Sequence, residues 1–197
     1  MNDADTGTPA RKMLSPFISS ALNSRMKSAT LSHSPFDDEL LARAAALIGL
    51  YRNLGLKLAT AESCTGGLVA GLLTEIAGSS AVVARGFVTY SNEAKNELIG
   101  VPMALIERHG TVSAEVASAM AEGALHHSRA DVTVAITGVA GPGGGTSEKP
   151  VGLVHFACAM KDAASVHVER RFGDLGRAGI RRAAILTALK MLTDAKS

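Results

Sequence analysis

The spacing of apolar residues divides the chain after about residue 36 into alternating helices and strands. One apolar series recurs at helical spacing: Leu40, Leu41, Ala44, Leu47, Ile48 and Tyr51. Val132, Val134 and Ile136 instead alternate with their neighbours, as in a strand. The same reasoning predicts helices near 37–53, 68–76, 91–100, 103–108, 113–127 and 173–192, and strands near 56–61, 82–90, 131–137, 151–160 and 165–172.

Sequence signals at both ends define the first helix. Ser34, Pro35 and Asp37 match an N-cap, a proline at the first helical position and an acid three residues after the cap. Gly55 follows the last apolar residue of the series, as is typical of a helix end. We therefore predict Ser34 as the N-cap and an end near Gly55.

Helices alternate with the early strands, whereas the last two strands are separated only by Lys161, Asp162 and Ala163. Such a short connection is typical of an antiparallel hairpin. The predicted fold class is therefore α/β: a three-layer α/β/α sandwich with a mixed, mostly parallel sheet that ends in an antiparallel hairpin.

The first 34 residues differ from the rest of the chain. They are rich in small and polar residues and show no sustained periodicity, so we predict a disordered N-terminal tail at 1–34 and one domain at 35–197. A targeting peptide is the alternative, because the segment is basic and Ser-rich. It has no apolar core for secretion, and Asp3 and Asp5 fit a transit peptide poorly.

Composition narrows the classes of function. The chain is 47% hydrophobic but only 4% aromatic, which indicates an aliphatic core. Its net charge of +2 comes from the first 34 residues, and a neutral body argues against a nucleic-acid partner. No apolar run reaches the roughly 18 residues of a membrane span. Cys64 and Cys158 form neither a disulfide framework nor a metal motif, so we expect a cytoplasmic protein.

The stretch from Leu56 to Leu68 carries the main candidate for chemistry. A strand-length apolar run leads through a polar turn into a helical pattern, and in open α/β sheets ligands bind at such strand ends. Ser63 and Cys64 are nucleophile candidates in this turn. Ser63 or Thr65 can equally be a helix cap, and Cys64 a buried filler. The flanking glycines of a Gly-x-Ser-x-Gly elbow are absent.

A second turn, from Gly138 to Pro150, is rich in glycine but matches neither the Walker nor the dinucleotide pattern. It is either a ligand cradle or a flexible connection. If the strands before the two turns are parallel neighbours, both turns meet at one edge of the sheet and form a cleft.

Lys95 and Tyr90 form a further candidate pair near the end of the second strand. A lysine drawn into the cleft loses solvent, which lowers its pKa and makes it a base for Ser63. Tyr90 can hold this lysine or relay a proton. The simpler interpretation of Lys95 is a solvated helix residue. We interpret Arg181 and Arg182 as solvated too, and the histidines show no metal-binding spacing.

Four blocks of sequence together resemble the CinA C-terminal domain family. They occur in family order: Ala61-Glu-Ser-Cys-Thr-Gly-Gly67, Gly86-Phe-Val-Thr-Tyr-Ser-Asn-Glu-Ala-Lys95, Gly110-Thr-Val-Ser-Ala-Glu115 and Gly138-Val-Ala-Gly-Pro-Gly-Gly-Gly-Thr146. The resemblance covers roughly residues 37–192. It implies an amidohydrolase that deamidates nicotinamide mononucleotide to nicotinate mononucleotide and ammonia, a reaction of pyridine nucleotide (NAD) salvage.

The resemblance also implies roles for single residues. Ser63 would be the nucleophile, with Lys95 and Tyr90 completing a Ser–Lys type site, and backbone N–H groups around Thr65 to Gly67 would hold the oxyanion. The Gly-rich loop offers N–H groups for the 5′-phosphate, although the choice of loop stays open. The expected substrate-binding residues are Cys64, Thr65, Gly66, Gly67, Thr137, Gly138, Gly141, Gly143 and Gly144. No cofactor and no metal are required.

Two further expectations follow from the resemblance. Many family members carry this domain behind a molybdopterin-binding-like domain, for which residues 1–34 are too short, so we expect a stand-alone version. Family members form dimers, so we expect a homodimer or higher homo-oligomer whose other partner is the nucleotide substrate. The family's competence/damage-inducible label suggests a different class, a non-catalytic module that binds a nucleotide or a protein. Intact Ser63, Tyr90 and Lys95 favour the enzyme.

Overall fold

The computed structural model of the protein describes residues 34–196. The tail predicted at 1–34 therefore lies, except for Ser34, outside the described residues.

Each predicted helix and strand is present, with boundaries shifted by one to three residues at most ends. The strands are β1 (Leu58–Glu62), β2 (Val83–Val88), β3 (Val132–Gly138), β4 (Leu153–Met160) and β5 (Val166–Arg171). The helices are α1 (Asp38–Leu54), α2 (Leu68–Glu75), α3 (Asn92–Ile99), α4 (Met103–His109), α5 (Ala114–His126) and α6 (Gly176–Asp194), with a short 3₁₀ turn at Ser79–Ala81.

The strands form one five-stranded sheet in the order β2-β1-β3-β4-β5. β1 is parallel to both β2 and β3, whereas β4 is antiparallel to β3 and β5. At the end of β1, Glu62 pairs with Val88 on one side and Ile136 on the other. The predicted fold class and the closing hairpin are confirmed, and the turns after β1 and β3 lie at the same sheet edge.

Each face of the sheet carries its own hydrophobic core. Large side chains such as Leu58, Val134 and Phe156 face α1, α2 and α6. Small ones such as Ala135 and Ala157 face α3, α4 and α5. Because the second face is built of small residues, α5 lies close to the sheet, where Thr133 Oγ1 donates to a carbonyl of α5 at 2.7 Å.

The prediction of Ser34 as the first N-cap is wrong. Asp37 is the N-cap of α1, and its carboxylate accepts the N–H of Leu40 at 2.9 Å. The same carboxylate binds Arg182 of α6 at 2.7 Å. This contact comes from 145 residues away, so a local sequence pattern does not reveal it. The predicted helix end is confirmed, since Gly55 is the left-handed C-cap.

Gly86, which interrupts the apolar pattern of β2, has a packing role. A Cβ at this position would lie 2.8 Å from Cβ of Ala70 in α2, so the glycine lets α2 approach the strand.

The last helix, α6, packs buried residues such as Ile180, Ala184 and Leu189 against the sheet. Its first turns carry Arg177 and Arg181, which both reach the neighbourhood of Ser63. Even at 19 residues, α6 does not qualify as a membrane span, and neither does any other helix in the described part of the chain.

Candidate active site

The turns after β1 and β3 meet in a cavity of about 300 Å³ at the carboxyl ends of the parallel strands. Its lining contains Ser63, Cys64, Tyr90, Thr111, Val112, Gly138, Val139, Ala140, Gly141, Gly143, Gly144 and Arg177. The predicted cleft between the two turns is therefore present. Five residues of the predicted set do not line it: Thr65, Gly66, Gly67, Lys95 and Thr137.

Ser63 is the first residue after β1 and is 7% exposed. Its N–H donates to the carbonyl of Ile136 at 2.9 Å, which extends the ladder between β1 and β3 by one residue. The serine is thus fixed by the sheet while its hydroxyl borders the cavity.

Lys95, from the first turn of α3, is completely buried. Its Nζ lies 3.3 Å from Ser63 Oγ, 2.8 Å from the carbonyl oxygen of Thr89 and 3.3 Å from that of Ser91. No carboxylate forms an ion pair with it in residues 34–196. The simpler interpretation of Lys95 as a solvated residue is wrong, because α3 turns this side chain inward.

Burial lowers the pKa of the Lys95 amine from 10.5 to about 8. A neutral amine has two N–H donors and one lone pair. The carbonyls of Thr89 and Ser91 can accept the two N–H groups, which leaves the lone pair for the Ser63 hydroxyl. The arrangement therefore suits proton transfer from Ser63 to Lys95.

Cys64 lies beside Ser63 but has the wrong chemistry for a nucleophile at neutral pH. Burial raises the pKa of its thiol to about 12, and the thiolate is the nucleophilic form. Its side chain is 6% exposed and belongs to the core that α6 covers.

The fully buried Glu62 carboxylate closes the amino-terminal end of α2. It accepts the N–H groups of Gly67 and Val69 at 3.0 Å each and of Ala70 at 2.8 Å, and it accepts the Thr60 hydroxyl at 3.2 Å. Neither Ser63 nor Thr65 caps this helix, because no N–H of α2 donates to either hydroxyl. The capping alternative for Ser63 is therefore excluded, and the serine hydroxyl stays available.

These bonds restrict which backbone groups can hold an oxyanion. The N–H of Gly66 donates to the carbonyl of Ser63 at 3.0 Å, and that of Gly67 donates to Glu62. Within the described residues, the N–H groups of Cys64 and Thr65 have no acceptor on another residue. They replace Gly66 and Gly67 as the donor candidates in this turn.

Tyr90 borders the cavity but does not hold Lys95. Its hydroxyl accepts a hydrogen bond from Arg177 Nη2 at 3.1 Å, and its side chain is 60% exposed. Arg177 Nη1 also donates to the carbonyl of Gly141 at 3.0 Å. Arg177 therefore joins Tyr90 to the Gly-rich loop and brings a positive charge to the cavity.

Arg181 is half-buried rather than solvated, so that interpretation is wrong. Its Nη2 donates to the carbonyl of Thr65 at 2.7 Å and so holds the turn that carries Ser63. Three polar atoms around this turn are buried without a protein partner in the described residues: Thr65 Oγ1, Thr89 Oγ1 and Arg181 Nε. Arg182, in contrast, is bound to Asp37 and Glu39.

Glycines serve two different purposes in the loop after β3. A Cβ on Gly138 or Gly141 would come within 2.8 Å of β4 or Val151, so packing requires these two. Gly143 and Gly144 have no atom near the same position, and their N–H groups have no acceptor in residues 34–196. Thr137 is fully buried and donates to the carbonyl of Thr111 at 2.9 Å.

Sequence reasoning missed Glu62, Thr111 and Arg177 as parts of the site. An acid between a strand and a helix start signals a possible cap, and Thr111 lies in one of the four resemblance blocks. Arg177 and Arg181 are four residues apart, a spacing that places both on one face of a helix. Nothing local shows which element that face meets.

Comparison with known proteins places these features in a family. A model of the CinA C-terminal domain matches residues 41–196. A CinA-like protein of Geobacter sulfurreducens is 51% identical over 147 residues, which are 75% of this chain and 35% of that protein. A putative competence-damage inducible protein of Symbiobacterium thermophilum is 49% identical over 163 residues, covering 79% and 38%. The chain spans little more than a third of the length of these curated relatives.

Solved structures agree. The competence/damage inducible protein CihA of Agrobacterium tumefaciens superimposes with a TM-score of 0.82 at 52% identity, over 84% of this chain and 100% of that one. A CinA superfamily protein of Escherichia coli superimposes with a TM-score of 0.75 at 33% identity, over 81% of this chain and 93% of that one. Fold, motifs and relatives lead to one conclusion: the chain belongs to the CinA C-terminal domain family.

Proposed function

We propose that the chain is an amidohydrolase that converts nicotinamide mononucleotide and water to nicotinate mononucleotide and ammonia. The observation that carries the proposal is the position of Lys95, a buried amine that faces Ser63 Oγ at 3.3 Å and has carbonyl oxygens as its other neighbours. A lysine of lowered pKa that activates a serine suits attack on an amide.

The proposed reaction has two halves. Ser63 Oγ attacks the carboxamide carbon while its proton passes to Lys95 Nζ. The tetrahedral intermediate then collapses, Lys95 returns the proton to the leaving amine, and ammonia departs from an acyl-enzyme ester. In the second half, a water molecule gives a proton to Lys95 and attacks the ester carbon. Lys95 then returns this proton to Ser63 Oγ as the bond to the acyl group breaks, so the serine hydroxyl and the neutral amine are restored. Lys95 is neutral at the start of each half.

The N–H groups of Cys64 and Thr65 are the proposed donors to the oxyanion. They belong to the same turn as Ser63 and lack an acceptor on any other residue that the structure describes. Donors fixed in place near the nucleophile stabilise the charge that develops on the carbonyl oxygen.

The Gly-rich loop and Arg177 are the proposed site for the 5′-phosphate. Helix starts commonly bind phosphate, but the Glu62 carboxylate already occupies the start of α2 and would repel one. The loop instead offers the N–H groups of Gly143 and Gly144, which have no acceptor among the residues that the structure describes, and Arg177 adds a cation at Gly141. Charge complementarity therefore favours the loop.

Ammonia release from nicotinamide mononucleotide tests the proposal, measured with and without a chelator. We expect wild type and Cys64→Ala to be active and folded Ser63→Ala and Lys95→Ala to be inactive. Arg177→Gln should raise KM for the nucleotide but not for nicotinamide riboside, which lacks the phosphate. Lys190→Gln, at the far end of the same helix, is the matched control. A folded wild type that releases no ammonia would contradict the proposal and favour a binding module.

We propose that this activity needs only residues 35–197 and that the protein acts as a cytoplasmic homo-oligomer. Cys64 and Cys158 are both free and buried, which agrees with a reducing compartment. Equal kcat values for the full chain and for residues 35–197 would support the first point. Light scattering that finds only monomer would contradict the expected oligomer.

A further inference from the structure

A second hollow lies at the opposite edge of the sheet, where the parallel strands begin. It has a volume of about 650 Å³, and Lys57, Arg85 and Arg129 contribute to its lining. Lys57 directly precedes β1, Arg85 lies in β2, and Arg129 lies shortly before β3. Since Lys57 precedes and Ser63 follows the five residues of β1, this hollow is about 20 Å from the Ser63 turn along the strand direction.

The charges in this hollow are of one sign. Its other lining residues are Ser80, Val83, Ala84, His126, His127 and Ser128, and none is acidic. Within residues 34–196, no ion pair involves Lys57, Arg85 or Arg129. The nearby Asp131 carboxylate binds the backbone N–H of Lys57 and the ammonium group of Lys161, so it does not neutralise the Lys57 side chain.

Helix capping accounts for only one of these cations. Basic residues are favourable beside the carboxyl-terminal end of a helix, and Arg85 Nη1 does donate to the carbonyl of His127 after α5 at 2.8 Å. The side chains of Lys57 and Arg129 form no hydrogen bond with any residue that the structure describes. Lys57 and Arg129 thus line the same hollow as Arg85, and neither has a side-chain partner within residues 34–196.

We propose that this hollow binds a phosphate-bearing anion of the size of a nucleoside diphosphate, at a site separate from the substrate. Its volume lies within the range of small-molecule sites, about 300 to 1,000 Å³. Cations without carboxylate partners match the charges of a diphosphate. Val83 and Ala84 supply an apolar part of the wall that a free phosphate would not use.

Titration calorimetry with inorganic pyrophosphate tests the site. All chains carry Arg177→Gln, which removes the cation of the proposed substrate-phosphate site. In this background, Lys57→Gln with Arg129→Gln should weaken binding about tenfold or more, since it removes two charge-assisted contacts. Arg43→Gln with Lys190→Gln removes the same charge from exposed surfaces of α1 and α6 and should change the affinity less than about twofold.

Equal weakening by the two charge-matched pairs, or no pyrophosphate binding up to about 10 mM, would overturn the proposal. ADP and adenosine identify the source of the phosphate. Tighter binding of ADP than of pyrophosphate, with none of adenosine, indicates a nucleotide, and equal affinities indicate the phosphate group alone. The titration needs no turnover, so its result is independent of whether the chain deamidates nicotinamide mononucleotide.

Discussion

Lys95 is unusual because it is a buried amine that forms no ion pair with a carboxylate in residues 34–196. Buried charges in proteins are normally paired, and an unpaired one shifts its pKa toward the neutral form. The fold holds Lys95 Nζ against two backbone carbonyls and one hydroxyl. These neighbours accept or share the hydrogen bonds of the amine but carry no negative charge that would hold its extra proton. The neutral amine is therefore readily formed, as a general base requires.

The activity should depend on the protonation of Lys95. Its pKa is lowered to about 8, and only the neutral amine accepts the Ser63 proton. We therefore expect kcat/KM to rise about tenfold per pH unit below about pH 8 and to level off above it. A rate profile between about pH 6 and pH 10 measures this. A profile that is flat across pH 8 would contradict the role of Lys95 as the base.

Glu62 should control the geometry of the Ser63 turn. Glu62→Gln cannot accept all the N–H groups that the carboxylate binds, so we expect it to lower the free energy of unfolding by about 1 to 3 kcal/mol. We also expect kcat to fall more than KM rises, because the nucleophile moves while the Gly-rich loop stays in place. Glu75→Gln, an exposed change at the other end of α2, is the control. Denaturant unfolding and steady-state kinetics of the two variants test these expectations. Equal stability and equal kcat of Glu62→Gln and Glu75→Gln would contradict the role of Glu62.

At the scale of the elements, close helix packing positions Lys95. Gly123 of α5 touches the end of α3, the helix that carries Lys95, since a Cβ there would lie 2.0 Å from the carbonyl oxygen of Ile99. In the described part of the chain, Gly49 of α1 has no atom within 4 Å of the same position. Both glycines lie within helices, but of the two only Gly123 packs against a neighbouring helix.

Alanine at these two glycines should have opposite effects. Gly49→Ala should stabilise the protein by about 0.5 to 1 kcal/mol, because alanine loses less backbone entropy in a helix. Gly123→Ala should destabilise it by about 1 to 3 kcal/mol through overpacking, and it should reduce activity by moving α3. Thermal or denaturant unfolding of both variants measures the contrast. Equal stabilisation by both would contradict the packing of α5 on α3.

The elements could be predicted from the sequence because their signals are local. Apolar spacing located each strand, and the two candidate turns meet because β1 and β3 are neighbours. Contacts between distant segments could not be predicted in the same way. Asp37 binds Arg182, and the Ser63 turn binds Arg181, across more than 100 residues. Glu62 is local, but it accepts N–H groups five, seven and eight residues further along the chain, which is further than an ordinary N-cap side chain reaches.

At the scale of the whole molecule, the buried lysine opposes stability at neutral pH. A pKa lowered from 10.5 to about 8 corresponds to roughly 3 kcal/mol in favour of the neutral amine. Below pH 8 the folded protein must bury a charge, whereas the unfolded chain hydrates it. The cores on both faces of the sheet offset this cost.

The contribution of Lys95 to the free energy of unfolding should therefore become more favourable as the pH rises. Between about pH 8 and pH 10.5 the unfolded chain binds the proton that the folded protein has lost, so the folded state gains. We expect the free energy of unfolding of wild type, relative to Lys95→Met, to increase by up to roughly 3 kcal/mol over this range. Urea unfolding of both proteins at the two pH values tests it. A constant difference would contradict the lowered pKa.

The central claim is that Ser63 attacks the amide and holds the acyl group. Mass spectrometry of the protein, quenched in acid during turnover of nicotinamide mononucleotide, tests this most directly. The account predicts an adduct equal to the substrate minus ammonia on the peptide that contains Ser63. The adduct should be retained in Cys64→Ala and absent from Ser63→Ala. An adduct carried by Cys64, or turnover without any covalent intermediate, would contradict it.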